Sequence, residues 1–182
     1  MRLRDPDDGD AWGQFHDLYS PMIFRYALAR GLPHQDAEDV RSACYEAVVR
    51  HIRHFQYDQN RGGFKAWLRT LVATKTIDLI RKRREANAGS GELRELQAEE
   101  PGPDEVFEQE WKLQHLRYCV EQIRGEVPEQ TYQAFQMLAR DGESVPAVCE
   151  KLGMNANQVY KAKSRVLQLV RERMAEFSDS ST

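Results

Sequence analysis

The sequence lacks any apolar run approaching the roughly 20 residues needed to span a bilayer. Its opening stretch, MRLRDPDDGD, lacks the apolar core of a secretory signal. No membrane insertion is expected, and a cytoplasmic location is. Cysteine is scarce: Cys44, Cys119 and Cys149 stand far apart, odd in number and without a CxxC pair. A disulfide framework and a zinc site are therefore not expected, and each thiol is read as a small hydrophobe on a helical face. There is no alternating apolar–polar stretch of strand length and no internal repeat. Nor is there a nucleophile–base arrangement, a phosphate-cradling glycine loop or an isolated carboxylate pair. No catalytic residue, no cofactor and no enzymatic activity are assigned. His51 and His54 share a helical face that a metal could bridge, but without a Cys or carboxylate partner they are read as solvated. No metal site is assigned.

What the sequence has is helical periodicity and charge arranged in blocks. Apolar residues recur at helical spacing over 10–30, 36–54, 64–84, 104–124, 128–140, 144–152 and 155–177. Phe107, Trp111, Leu116, Val120 and Ile123 are expected on the inner face of the fourth stretch. Between the third and fourth lies ANAGSGELRELQAEEPGPD, rich in Gly, Ser, Pro and acid and poor in core residues, which reads as a linker. Its upper reach is roughly 60–65 Å. The expected fold is all-α: a helical domain at 1–85, a flexible acidic linker at 86–104, and a helical domain at 105–182 that ends in a helix-turn-helix. The net charge is only −3, but Arg61–Arg84 carries eight bases against one acid, a local +7. Glu85–Glu110 reverses to nine acids against one base, and Asn155–Arg173 returns to five bases against one acid. Local charge decides whether phosphates are attracted.

The helix-turn-helix expectation rests on SVPAVCEKLGMNANQVYKAKSRVLQLV. Gly153 allows a tight turn, and Asn155 suits the N-cap of the second helix. Val159, Val166 and Val170 fall on one face. Asn157, Gln158, Lys161, Lys163, Ser164 and Arg165 fall near the helix start or on its outer face. Amides pair with adenine edges, arginine with guanine, and cations with phosphates, so this set suits a helix entering a major groove. The alternative is a helical hairpin with a solvated basic face. Near residue 60, aromatics (Phe55, Tyr57, Phe64, Trp67) interleave with bases (Arg61, Lys65, Arg69, Lys75), which suits unstacked single-stranded bases. Phe64 and Trp67 are read as core in the first place; Tyr57, Asn60 and Arg61, on the loop, suit contact.

DAEDVRSACYEAVV followed by FKAWLRTLVATKTIDLIRKRR resembles the region-two domain of bacterial sigma factors of the extracytoplasmic-function group. VPEQTYQAFQMLARDGESVPAVCEKLGMNANQVYKAKSRVLQLVRERM resembles their region-four domain. The resemblance implies that the protein binds core RNA polymerase and directs promoter recognition and melting. Asp36, Glu38, Asp39 and Val40 would dock on the largest-subunit clamp, and the second domain on the flap. Tyr57, Asn60, Arg61, Lys65, Lys75, Arg81, Lys82 and Arg84 would take the minus-ten element, including a base flipped from the stack. Asn157, Gln158, Lys161, Lys163, Ser164 and Arg165 would read the minus-thirty-five element. The implied partners are the polymerase, promoter DNA and an anti-sigma factor. Ser42-Ala43 and Ala73-Thr74 depart from the family pattern at a polymerase contact and in the third helix.

The competing reading is a stand-alone helix-turn-helix regulator with an N-terminal dimerisation or signal domain. A degenerate, decoy-like interaction protein is the third. The charge reversal at Glu85 also leads to the expectation that the acidic stretch folds back on the basic one and hinders DNA binding in the free protein.

Overall fold

The computed structural model describes residues 3, 5, 8–55, 63–87 and 102–180, without the side chains of residues 87 and 177–180. Among the described residues the protein is all-α, with seven helices and no strand: α1 (Gly9–Ala29), α2 (His34–His51), α3 (Gly63–Asn87), α4 (Pro103–Ile123), α5 (Glu129–Ala139), α6 (Val145–Leu152) and α7 (Ala156–Ser180). A single 3-10 turn, Ile52–His54, follows α2. The helices group into two compact units, Met1–Gln114 and His115–Ser180. The linker residues 88–101 and the loop residues 56–62 lie outside the described residues.

The first unit is organised by α1. Asp8 caps it, its Oδ1 accepting the Ala11 backbone N–H at 3.0 Å. Phe15, Met22, Ile23 and Tyr26 recur at helical spacing and are all buried. The helix ends in a Schellman turn. Gly31 takes φ +80°, its N–H donates to the Leu28 carbonyl at 2.9 Å, and the Leu32 N–H donates to the Ala27 carbonyl at 3.2 Å. Leu32 is buried beneath the turn, which is the hydrophobic contact such caps carry. Pro33 then opens α2, whose inner face is Ala37, Val40, Cys44, Ala47 and Val48. α3 lays Leu68 and Val72 into the same core.

α4 supplies the rest of that core. Val106, Phe107 and Trp111 belong to it, Phe107 fully buried. One polar contact explains why α1 tolerates Pro21 in its interior. Proline has no N–H, so the Asp17 carbonyl four residues earlier loses its helical donor. The buried Gln114 replaces it, donating Nε2 to the Asp17 carbonyl at 3.2 Å, while its Oε1 accepts from Arg25. Arg25 also donates Nε to Glu110 Oε2 at 2.8 Å. Leu116, expected on the inner face of this helix, is 42% exposed. The buried line runs Phe107, Trp111, His115, Cys119, Ile123 at intervals of four. Leu116 sits about 100° around the helix from His115 and so leaves that line.

The second unit packs α5 against α7, with α6 touching both. Ile123, Val127, Tyr132, Phe135, Val166 and Val170 form one cluster, and Ala134, Val148, Val159 and Ala162 another. Ser144 caps α6, and Lys151 Nζ donates to Glu143 Oε1 at 2.6 Å across that helix. No helix among the described residues is long and apolar enough to cross a membrane.

Candidate nucleic-acid interface

Two basic surfaces are candidates, one in each unit. In the second unit, α6 ends at Gly153, whose φ of +63° lets the chain turn at once. The Gly153 and Met154 N–H groups both donate to the Cys149 carbonyl, and Gln130 Nε2 donates to the Leu152 carbonyl at 2.7 Å. Only three residues, 153–155, separate α6 from α7.

α7 opens on a reciprocal cap. The Gln158 N–H donates to Asn155 Oδ1 at 2.9 Å, and the Asn155 N–H donates to Gln158 Oε1 at 2.8 Å. Donors otherwise orphaned at the helix N-terminus are satisfied within the chain. Val159, Ala162, Val166 and Val170 are buried. Asn157, Gln158, Lys161, Lys163, Ser164 and Arg165 are all exposed. They do not share one face. Asn157, Lys161 and Ser164 lie opposite the buried stripe, joined there by Tyr160, which is 56% exposed. Lys163 and Arg165 leave the helix on opposite flanks of that face, about 90–110° to either side at 100° per residue. Tyr160 was not among the sequence candidates. Its signal was its spacing to Asn157 and Ser164, three and four residues away, hidden because tyrosine counts as apolar.

In the first unit, the aromatics around α3 pack on one another. Phe55, Phe64 and Trp67 form a triangle with ring centroids 5.2–6.1 Å apart. All three are half-buried against the core. Tyr57, Asn60 and Arg61 lie outside the described residues. The bases of α3 meet acids. Lys65 Nζ donates to Glu108 Oε2 at 2.7 Å and lies 5.5 Å from the Trp111 ring centroid. Arg69 lies 3.6 Å from Asp104, and Arg81 pairs with Asp78 and Glu85 along its own helix. Lys82 and Arg84 are exposed and Lys75 half-buried; none of these three has an ion pair among the described residues. Two acids of the 85–110 stretch, Asp104 and Glu108, thus lie against bases of α3. Glu92, Glu95, Glu99 and Glu100 lie outside the described residues.

At the start of α2, Asp36 pairs with Arg83 of α3, Glu38 pairs with Arg41, and Asp39 is exposed. Val40 is buried at 1% exposure, so it holds the helix from inside rather than presenting a surface. Ser42 is exposed and Ala43 half-buried. Ala73 is half-buried, and the Thr74 hydroxyl donates to the Thr70 carbonyl at 2.7 Å, a bond within the helix. His51 and His54 are exposed, and no group of three His, Cys, Asp or Glu side chains suited to a metal occurs among the described residues. Burial pushes the Cys44 thiol up to about 12, which keeps it protonated and unreactive at neutral pH.

Residues 15–86, from Phe15 of α1 to the end of α3, match the family model for sigma-70 region 2. α1, α2 and α3 are therefore the helices of a sigma-70 region 2 domain. Over 173 residues the chain is 20% identical to the ECF RNA polymerase sigma factor SigE of Mycolicibacterium smegmatis, covering 94% of this chain and 64% of that protein. Over 99 residues it is 30% identical to the ECF RNA polymerase sigma factor BldN of Streptomyces coelicolor, covering 54% of this chain and 37% of that protein. Its first three helices thus carry a sigma-70 region 2 domain, and the chain is similar to sigma factors of the extracytoplasmic-function type. It spans less than two thirds of the length of either relative.

Proposed function

We propose that the protein binds core RNA polymerase and directs it to promoters, the first unit engaging the polymerase clamp and the minus-ten element and the second reading the minus-thirty-five element. The observation that carries this reading is the region 2 match over α1–α3. In this reading residues 1–85 are the region-two module, 86–104 the connector and 105–182 the region-four module, with α6 and α7 as its helix-turn-helix, although α4 up to Gln114 belongs to the first compact unit. Asp36, Glu38 and Asp39 at the start of α2 meet the clamp. Tyr57, Asn60 and Arg61, with Lys65, Lys75, Arg81, Lys82 and Arg84 of α3, hold the opened strand and its backbone. The protein performs no chemistry of its own; it supplies binding free energy for strand separation, while the polymerase transfers nucleotides. The same resemblance brings an anti-sigma protein as the class of regulator.

What supports the second half of the reading is the α6–turn–α7 geometry, with a capped, outward polar face and flanking cations. A recognition helix inserts its first turns into the major groove and meets phosphates at its edges. The test is run-off transcription with bacterial core RNA polymerase on promoter fragments, with and without the protein. New start sites that depend on the protein are expected. Failure to associate with core polymerase would overturn the reading and leave the stand-alone regulator.

A further inference from the structure

Six residues of α7 carry the right chemistry for reading DNA, but the cap at its start removes one of them. A glutamine reads adenine with both halves of its amide, the oxygen accepting from N6 and the nitrogen donating to N7. Gln158 has committed its oxygen to the Asn155 backbone N–H at 2.8 Å. Freeing it would leave a helix N-terminal donor unsatisfied. Asn157 stands beside it with an exposed amide that makes no hydrogen bond among the described residues.

Resting on the reading of the second unit as an upstream-element binder, we propose that Tyr160 is a base-reading residue of α7, its ring set against a thymine 5-methyl group. Asn157 reads beside it, and Gln158 is a positioning residue that only holds the helix start. Three features of α7 carry this. Asn157, Tyr160, Lys161 and Ser164 stand at i, i+3, i+4 and i+7, one stripe opposite buried Val159 and Val166. Tyr160 is the most exposed of the large apolar side chains described, at 56%, and has no ring partner among the described residues. Lys163 and Arg165 flank the stripe on both sides, where the phosphate walls of a groove would be. A cation on each flank centres the stripe on the base edges, and the apolar body at its middle matches the one apolar group that base edges display in the major groove.

The test uses the full chain assembled with bacterial core RNA polymerase and a duplex library randomised across the upstream element. Wild type is expected to select a motif containing a thymine whose replacement by deoxyuridine, which lacks only the methyl group, weakens binding about threefold or more. Tyr160→Ala is expected to lose about tenfold on the selected sequence and to become indifferent to the thymine–deoxyuridine exchange, with its melting temperature unchanged. Gln158→Ala is expected to keep the selected motif while lowering the melting temperature of the second unit by roughly 2–5 °C. Gln158→Glu, which can accept the same N–H, is expected to restore that temperature and select the same bases. If either Gln158 variant changes the preferred base, or Tyr160→Ala stays sensitive to the methyl group, the inference is overturned while the reading of the second unit stands. If the wild-type assembly selects no upstream sequence at all, that reading falls, and the inference with it.

Discussion

The two basic helices treat their charges in opposite ways. Four of the seven bases of α3 have carboxylate partners within the first unit: Lys65, Arg69, Arg81 and Arg83. On α7, Lys161, Lys163, Arg165 and Arg171 are exposed, and none has an ion pair among the described residues. Only Arg173, further along, reaches an acid, Glu126. Equal-looking runs of Lys and Arg therefore differ in availability. The cations of α7 can release counterions on a phosphate backbone at once, whereas Lys65 and Arg69 must first leave Glu108 and Asp104.

The sharpest way to break this contrast is to remove what holds the acids in place. Asp104 and Glu108 are presented by a helix whose apolar anchors are Phe107, fully buried, and Trp111. Phe107→Ala should destabilise the first unit by about 3–5 kcal/mol, because it deletes a core aromatic and leaves a cavity. Chemical denaturation followed through tryptophan fluorescence measures it. A loss below about 1 kcal/mol would mean that α4 is not seated in that core.

The next effect is on binding. Lys163→Ala should flatten the salt dependence of upstream-element binding by about one unit of slope, the signature of one lost phosphate contact. Lys65→Ala should change the slope for a minus-ten fragment by less, since its charge is already half used. Equal changes would erase the distinction between the helices. Smaller again is the double variant Asp104→Asn, Glu108→Gln. Ion pairs open to solvent or only partly covered contribute about 0–1 kcal/mol, so its folding stability should barely move. Its affinity for a single-stranded minus-ten fragment at low salt should rise about two- to fivefold. An unchanged affinity would remove any masking role from these acids.

Much of this contrast was hidden in the sequence, although the helices themselves were not. The seven periodic stretches became seven helices because a 3.6-residue apolar spacing can be buried only one way. Gly153 ends its helix where expected, and Gly31 ends α1, because each occupies the left-handed conformation that other residues rarely take. Side-chain partnership is another matter. The sequence shows +7 beside −8 but not that Lys65 meets Glu108, 43 residues away. The periodicity of 103–123 does not show which neighbours its faces meet, so the seating of Phe107 in the first core and the exposure of Leu116 were not legible. The polar set on α7 is legible as composition but not as direction. That Gln158 accepts the Asn155 N–H depends on backbone geometry. Tyr160, an apolar residue beside Val159, looks like core until the helix is turned.

The smallest effect at working pH concerns the two cores rather than the two surfaces, and it separates them by thiol chemistry. Cys44 is fully buried in the first unit, while Cys149 is only half-buried in the second. Burial raises Cys44 from 9.0 to about 12. Well below pH 9 the thiol is protonated in both folded and unfolded chains and contributes no pH dependence. Between 9 and about 12 the unfolded chain has released a proton that the folded chain retains. Stability therefore falls as pH rises through that window. Tyr26 and Cys119, also raised by burial, act in the same direction. The difference between wild type and Cys44→Ala isolates the thiol: the variant should be less stable at pH 8, where the missing sulfur leaves a void, yet lose less on going to pH 10.5. In the folded protein at pH 8 an alkylating reagent should modify Cys149 well before Cys44. Modification of both at one rate would mean that the first core opens as readily as the surface of the second.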